Sequence, residues 1–133
     1  MSRQLVLISH GKFCEELKNS TEMIMGPQEN IYTIPLLPED GAEAYRERFL
    51  SVIAPLNDFA VLCDLLGGTP ANIVSKLIME GETIELYAGM NLPMVIEFIN
   101  SQMIGATPDF IRSGCESIVS VNQVIADMGD EEE

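Results

Sequence analysis

Leu5-Val6-Leu7-Ile8 and Phe59-Ala60-Val61-Leu62-Cys63 contain no polar side chain. A strand with one wet face alternates apolar with polar residues. A strand apolar at every position is covered on both faces, which is the signature of a parallel sheet held between helices. The intervening sequence supplies those helices. Strands are expected at about 3–9, 30–36, 59–65 and 83–88, and helices at about 12–25, 42–56, 70–81 and 93–104. Gly26-Pro27 stops the first helix, and Pro38-Glu39-Asp40-Gly41 is a turn opening the second. Pro70 and Pro93 stand at helix starts, where a missing N–H costs nothing. A short helix at 108–116 and a last strand, Ser117 to Val121, complete the pattern. Alternating strands and helices predict a doubly wound α/β fold. Strands one and three are then neighbours, in the order 2-1-3-4. No repeat or linker divides the chain. A single domain is expected over 1–128, with the acidic 129–133 a disordered tail.

Composition narrows the function. The chain has 133 residues, 47% of them hydrophobic, enough for one real core. It lacks an uncharged apolar run of about 18 residues, and Met1-Ser2-Arg3-Gln4 leads into a strand without a secretory signal. Cys14, Cys63 and Cys115 are too widely spaced for a zinc site, and two read as core fillers. A reducing cytoplasm is the expected setting. The net charge of −14 argues against nucleic acid, whose phosphates need clustered lysine and arginine, and suits a partner with a basic face.

The only histidine, His10, falls where strand one meets Gly11. In an open parallel sheet, chemistry occurs beyond the carboxyl ends of the strands. Asp64 ends strand three, so in the order 2-1-3-4 it faces His10 across the switch point. A carboxylate accepting from Nδ1–H fixes the tautomer and leaves Nε2 as a nucleophile. Gly67-Gly68-Thr69 opens the third helix, where free amides attract anions. It is neither a Walker loop nor a dinucleotide fingerprint. Singly, each feature has a plain reading: a solvated histidine, an aspartate capping a turn, a glycine turn before a helix. Together they form a nucleophilic nitrogen, a carboxylate that orients it and a cradle for anionic oxygens, which is what a transient phosphohistidine needs. No metal or other cofactor is expected. Gly11, Asn72 and Asn91 are candidates for the rim. Met90, Leu92 and Met94 read either as an adaptable rim or as core.

Three runs carry a family resemblance: Ser9-His10-Gly11, Asp64-Leu65-Leu66-Gly67-Gly68-Thr69-Pro70-Ala71-Asn72, and Gly89-Met90-Asn91-Leu92-Pro93-Met94. In this order the chain resembles the mannose-family enzyme IIA domain of the bacterial sugar phosphotransferase system. The resemblance implies that His10 takes a phosphoryl group from the phosphocarrier HPr and hands it to a IIB component, which phosphorylates the sugar during import through a membrane permease. It further implies that Asp64 partners the histidine and that Thr69 and the neighbouring amides line the phosphoryl site. It also implies a homodimer in which the last strand lies antiparallel and is exchanged. Many members continue into IIB after a linker; this sequence does not, so a separate IIB is expected. Leu66 stands where some relatives have tryptophan.

Two other readings remain open. One is the related subunit that delivers phosphoryl groups to dihydroxyacetone kinase, although Gly-Gly-Thr-Pro-Ala-Asn fits the sugar-transport branch better. The other is a non-enzymatic regulatory or ligand-binding module. A receiver version lacks an acidic pair after strand one and has no lysine beyond Lys76; a flavin version lacks an aromatic sandwich.

Overall fold

The computed structural model describes residues 3–131. Four strands, β1 (Gln4–His10), β2 (Ile31–Leu36), β3 (Phe59–Cys63) and β4 (Glu85–Ala88), form one parallel sheet in the order β2-β1-β3-β4. β1 and β3, which carry the two wholly apolar runs Leu5–Ile8 and Phe59–Cys63, are its centre, with Ile8 opposite Cys63 and Leu5 opposite Ala60. Alternation then sorts side chains between two cores. Leu5, Leu7 and Leu62 point to the layer of α1 (Phe13–Met25) and α4 (Leu92–Ile104), where Leu17, Val95 and Phe98 are buried. Val6, Ile8 and Val61 point to the layer of α2 (Ala42–Ile53) and α3 (Thr69–Met79), against Phe49 and Val74. Burying such a side chain contributes about 1.5–3 kcal/mol, so a one-residue slip in β1 would reverse both faces and is strongly disfavoured.

Helix ends follow local chemistry. Gly26 takes φ +87° after α1, and its amide closes onto Glu22 O at 2.8 Å. The second helix ends at Ile53 rather than near Leu56: Ala54 still has helical dihedrals and closes onto Leu50 O, but Pro55 has no N–H to continue the ladder. Asn91 caps α4 by accepting from Met94 N at 3.2 Å. The short helix α5 is Phe110–Glu116.

The expected strand at Ser117 to Val121 is absent. Residues 117–120 are irregular, and α6 spans Val121–Glu131. Ser120 accepts from Gln123 N through Oγ at 3.2 Å and from Val124 N through its carbonyl at 3.0 Å. Ser120-Val121-Asn122-Gln123 is thus a helix start of the Ser-x-x-Gln kind, and it outweighs the β-branched composition of 117–121. Gly129 to Glu131 of the expected disordered tail continue this helix; Glu132 and Glu133 lie outside the described residues.

Candidate functional site

Strand pairing brings two polar residues together at the carboxyl edge. His10 is the last residue of β1, and Asp64 follows β3, its direct neighbour. Asp64 Oδ2 accepts from the His10 backbone N–H at 2.9 Å and lies 2.7 Å from ring Nδ1. Its Oδ1 accepts from Leu65 N at 3.0 Å. An ionised carboxylate only accepts, so Nδ1 carries the hydrogen, and in the neutral ring the lone pair is on Nε2. Burial alone would push the Asp64 carboxyl up. The bonds from His10 N, the His10 ring and Leu65 N reverse that and hold it below its ordinary value of 3.8. The carboxylate is well covered, at 13% side-chain exposure, while the imidazole is 47% exposed. The pair is therefore a charged support under an accessible ring.

The other wall is the start of α3. A Cβ on Gly68 would lie 2.4 Å from His10 Cε1 and 3.1 Å from Nε2, so the ring rests where a side chain would be. Asn72 N to Gly68 O, at 2.9 Å, is an i to i−4 bond at the start of α3. The amides of Thr69 and Ala71 precede the helical acceptors, Pro70 has no N–H, and Gly68 has no side chain to cap them. That leaves a positive helix end beside Nε2. Gly67 takes φ +87°, which glycine adopts freely, and its carbonyl accepts from Asn72 Nδ2 at 3.3 Å. Thr69 is exposed at this helix start. Gly11 turns the chain at φ +58°, and its amide reaches Leu36 O at 2.7 Å.

The structure thus brings His10, Asp64, Gly11, Gly67, Gly68, Thr69 and Asn72 to one edge. Asn91 is engaged elsewhere: beyond its capping bond, its Nδ2 donates to Gly114 O at 3.3 Å. Met90 and Met94 are buried in the α1/α4 core and Leu92 packs against it. Burial raises the Cys14 thiol and pushes Cys63 up to about 11, so neither offers a thiolate to compete with imidazole. Three apolar residues escaped the sequence reading as surface: Phe13, Leu65 and Leu66 are exposed next to Gly11 or Asp64 in the chain. Their positions in loops and a first helical turn were the available signal. Ser9 also escaped it; it is fully buried one residue before the histidine.

Comparison with known proteins identifies the family and the fold. The family model described as "PTS system fructose IIA component", of the EIIA-man type, matches residues 4–112. The mannose-specific EIIAB component of Escherichia coli K12 is 34% identical over 100 residues, which is 73% of this chain and 31% of that relative. The chain thus spans under a third of that curated protein. The fructose-specific EIIA component of Bacillus subtilis is 29% identical over 82% of this chain and 77% of its own. The crystal structure of the phosphotransferase system component EIIA from Streptococcus agalactiae superposes with a TM-score of 0.81 at 29% identity, covering 91% of this chain and 98% of its own. The chain belongs to the mannose-type EIIA family of the sugar phosphotransferase system. Among the described residues no helix is long and apolar enough to cross a membrane.

Proposed function

We propose that this chain is a phosphocarrier: His10 accepts a phosphoryl group from HPr and passes it to a histidine of a IIB component, feeding sugar uptake through the permease. The observation that carries the reading is the 2.7 Å contact between His10 Nδ1 and Asp64 Oδ2, with the opposite ring edge against Gly68. The Nε2 lone pair attacks phosphorus on the HPr phosphohistidine. The P–N bond to HPr breaks and its electron pair returns to the HPr ring nitrogen, and the hydrogen kept on that ring's other nitrogen leaves the HPr imidazole neutral. The proton on Nδ1 of His10 stays in place, and Asp64 offsets the positive charge that develops on the ring. Gly67, Gly68 and Thr69, with the unpaired amides at the start of α3, receive the phosphoryl oxygens. The second transfer is the same reaction in reverse order.

This reading places the protein in the cytoplasm with HPr and IIB. It also includes a homodimer. The outer edge of β4 is unpaired, and a groove of about 340 Å³ runs beside it, lined by Leu86, Tyr87, Phe110, Ile111 and Ile118. Val121, Val124 and Ile125 of a second copy's α6, all exposed, would cover it.

Incubation with phosphoenolpyruvate, the first enzyme of the system and HPr should label the protein with acid-labile, alkali-stable phosphate. His10→Ala should abolish the label, and added IIB should remove it from the unaltered chain. Label that persists in His10→Ala would assign the acceptor elsewhere.

A further inference from the structure

We infer that Ser9 is a positioning residue for His10, acting through a hydroxyl that ties the end of β1 to the start of α1. The inference rests on the phosphocarrier reading only for its effect on rate; its geometric part stands alone.

Alternation along β1 turns Ser9 and His10 to opposite faces. Leu5 and Leu7 face the α1/α4 core, so Ser9 does too, while His10 turns toward α3. A polar side chain on the α1 side must find partners there. Ser9 is fully buried, its Oγ donates to Gly11 O at 2.9 Å, and it accepts from Cys14 N at 2.9 Å. Lys12, at the N-cap of α1, makes no side-chain capping bond. The missing cap is supplied by Ser9, five residues before the Cys14 amide it accepts from.

Its role differs from that of the other buried serine and threonine hydroxyls among the described residues. Thr21 and Ser101 bond to carbonyls of their own helices, Leu17 O and Phe98 O. Ser9 joins two elements across the residue that would do the chemistry. It bonds to the chain on the far side of His10, fixing the Gly11 carbonyl while the Gly11 amide is held by Leu36 O and the His10 amide by Asp64. Three consecutive residues are thereby fastened in three directions. Without the Ser9 hydroxyl, Gly11 O and Cys14 N lose a partner, the turn loosens, and the His10 ring no longer meets Asp64 in a single pose. A displacement of about 1 Å at a reacting group is enough to slow chemistry by up to roughly 10²-fold.

The test compares Ser9→Ala with Ser9→Thr, which restores a hydroxyl on a side chain that strands accept. Two quantities are read below the melting temperature of each variant: the ¹⁵N signals of the His10 imidazole, and kcat and KM for phosphoryl transfer from HPr. In the unaltered protein the ring should read as a single Nδ1–H tautomer. Ser9→Ala should shift both nitrogens toward averaged values and lower kcat about tenfold with KM little changed; Ser9→Thr should recover both. A Ser9→Ala protein that melts earlier yet keeps the imidazole signals and kcat within twofold overturns the inference, as does a folded Ser9→Thr as impaired as Ser9→Ala. If the unaltered protein takes no phosphate from HPr, the phosphocarrier reading fails, and the imidazole spectra still decide the role of Ser9.

Discussion

The backbone at Gly68, with φ −87° and ψ 169°, would suit alanine; only the His10 ring stands in the way. Gly68→Ala therefore separates fold from site. It should leave the melting temperature within about 2 °C, since no strained conformation is imposed, and slow phosphoryl transfer by about 10²-fold as the ring is pushed off Asp64. Unchanged transfer would show that the ring does not need this seat. Asp64→Asn is the complementary change. It should slow transfer by about 10²-fold, because a neutral amide compensates the developing imidazolium poorly. It also has a pH signature. The folded carboxyl titrates below its ordinary 3.8, so ionised Asp64 stabilises the fold above that value and ceases to as pH falls through the lower, folded pKa. The stability gap between the unaltered protein and Asp64→Asn should shrink on acidification below about pH 3.8, measured by thermal melting; a gap that widens would contradict the assignment. At this scale the His10–Asp64 pairing was legible because both lie at the ends of strands that are neighbours in the order 2-1-3-4, an order taken from the flavodoxin-like fold rather than from the residues themselves. The seat at Gly68 and the tie at Ser9 were not, because each depends on where a side chain points after the loops close.

The core elements were legible because each carried its own punctuation. Gly26-Pro27 stops α1, Pro70 and Pro93 start α3 and α4, β3 is apolar throughout, and β1 is apolar from Leu5 to Ile8. The boundaries that moved did so for local reasons. Pro55 shortened α2, and β4 begins at Glu85 rather than at Thr83. The C-terminal segment was misread because two signals compete there. Ile118, Val119 and Val121 favour a strand by composition, whereas Ser120 and Gln123 cap a helix whose Val121, Val124, Ile125 and Met128 follow the i, i+3, i+4, i+7 spacing. In α6, Gln123 Nε2 also donates to Asp127 Oδ1 at 2.8 Å, one turn along. A strand at 117–121 would need an edge to pair with, and α5 carries this segment past β4 without pairing it. Within one chain, helix wins from Val121 onward.

On the whole molecule, those four α6 residues and Ile118 and Val119 are all exposed. An isolated helix of 11 residues is marginal in water, since helices below about 12–15 residues gain too little from propagation to offset nucleation. The segment is therefore expected to be stable only when covered, and the proposed dimer would cover it with the β4 edge and apolar groove of a second copy. The charge acts against this: two chains of −14 each must be brought together, and their repulsion weakens as the Debye length falls from about 30 Å at 0.01 M salt to about 8 Å at 0.15 M. Self-association should therefore tighten with salt, whereas encounter with a partner that presents a basic face should slow over the same range. Analytical ultracentrifugation and initial transfer rates, run across one salt series, read the two trends separately. Val124→Gln with Ile125→Gln, which removes apolar surface at neutral charge and keeps good helix formers, should shift the dimer to monomer while leaving His10 labelling intact. An unaltered protein that sediments as a monomer at micromolar concentration throughout the series would leave the apolar stripe to some other partner.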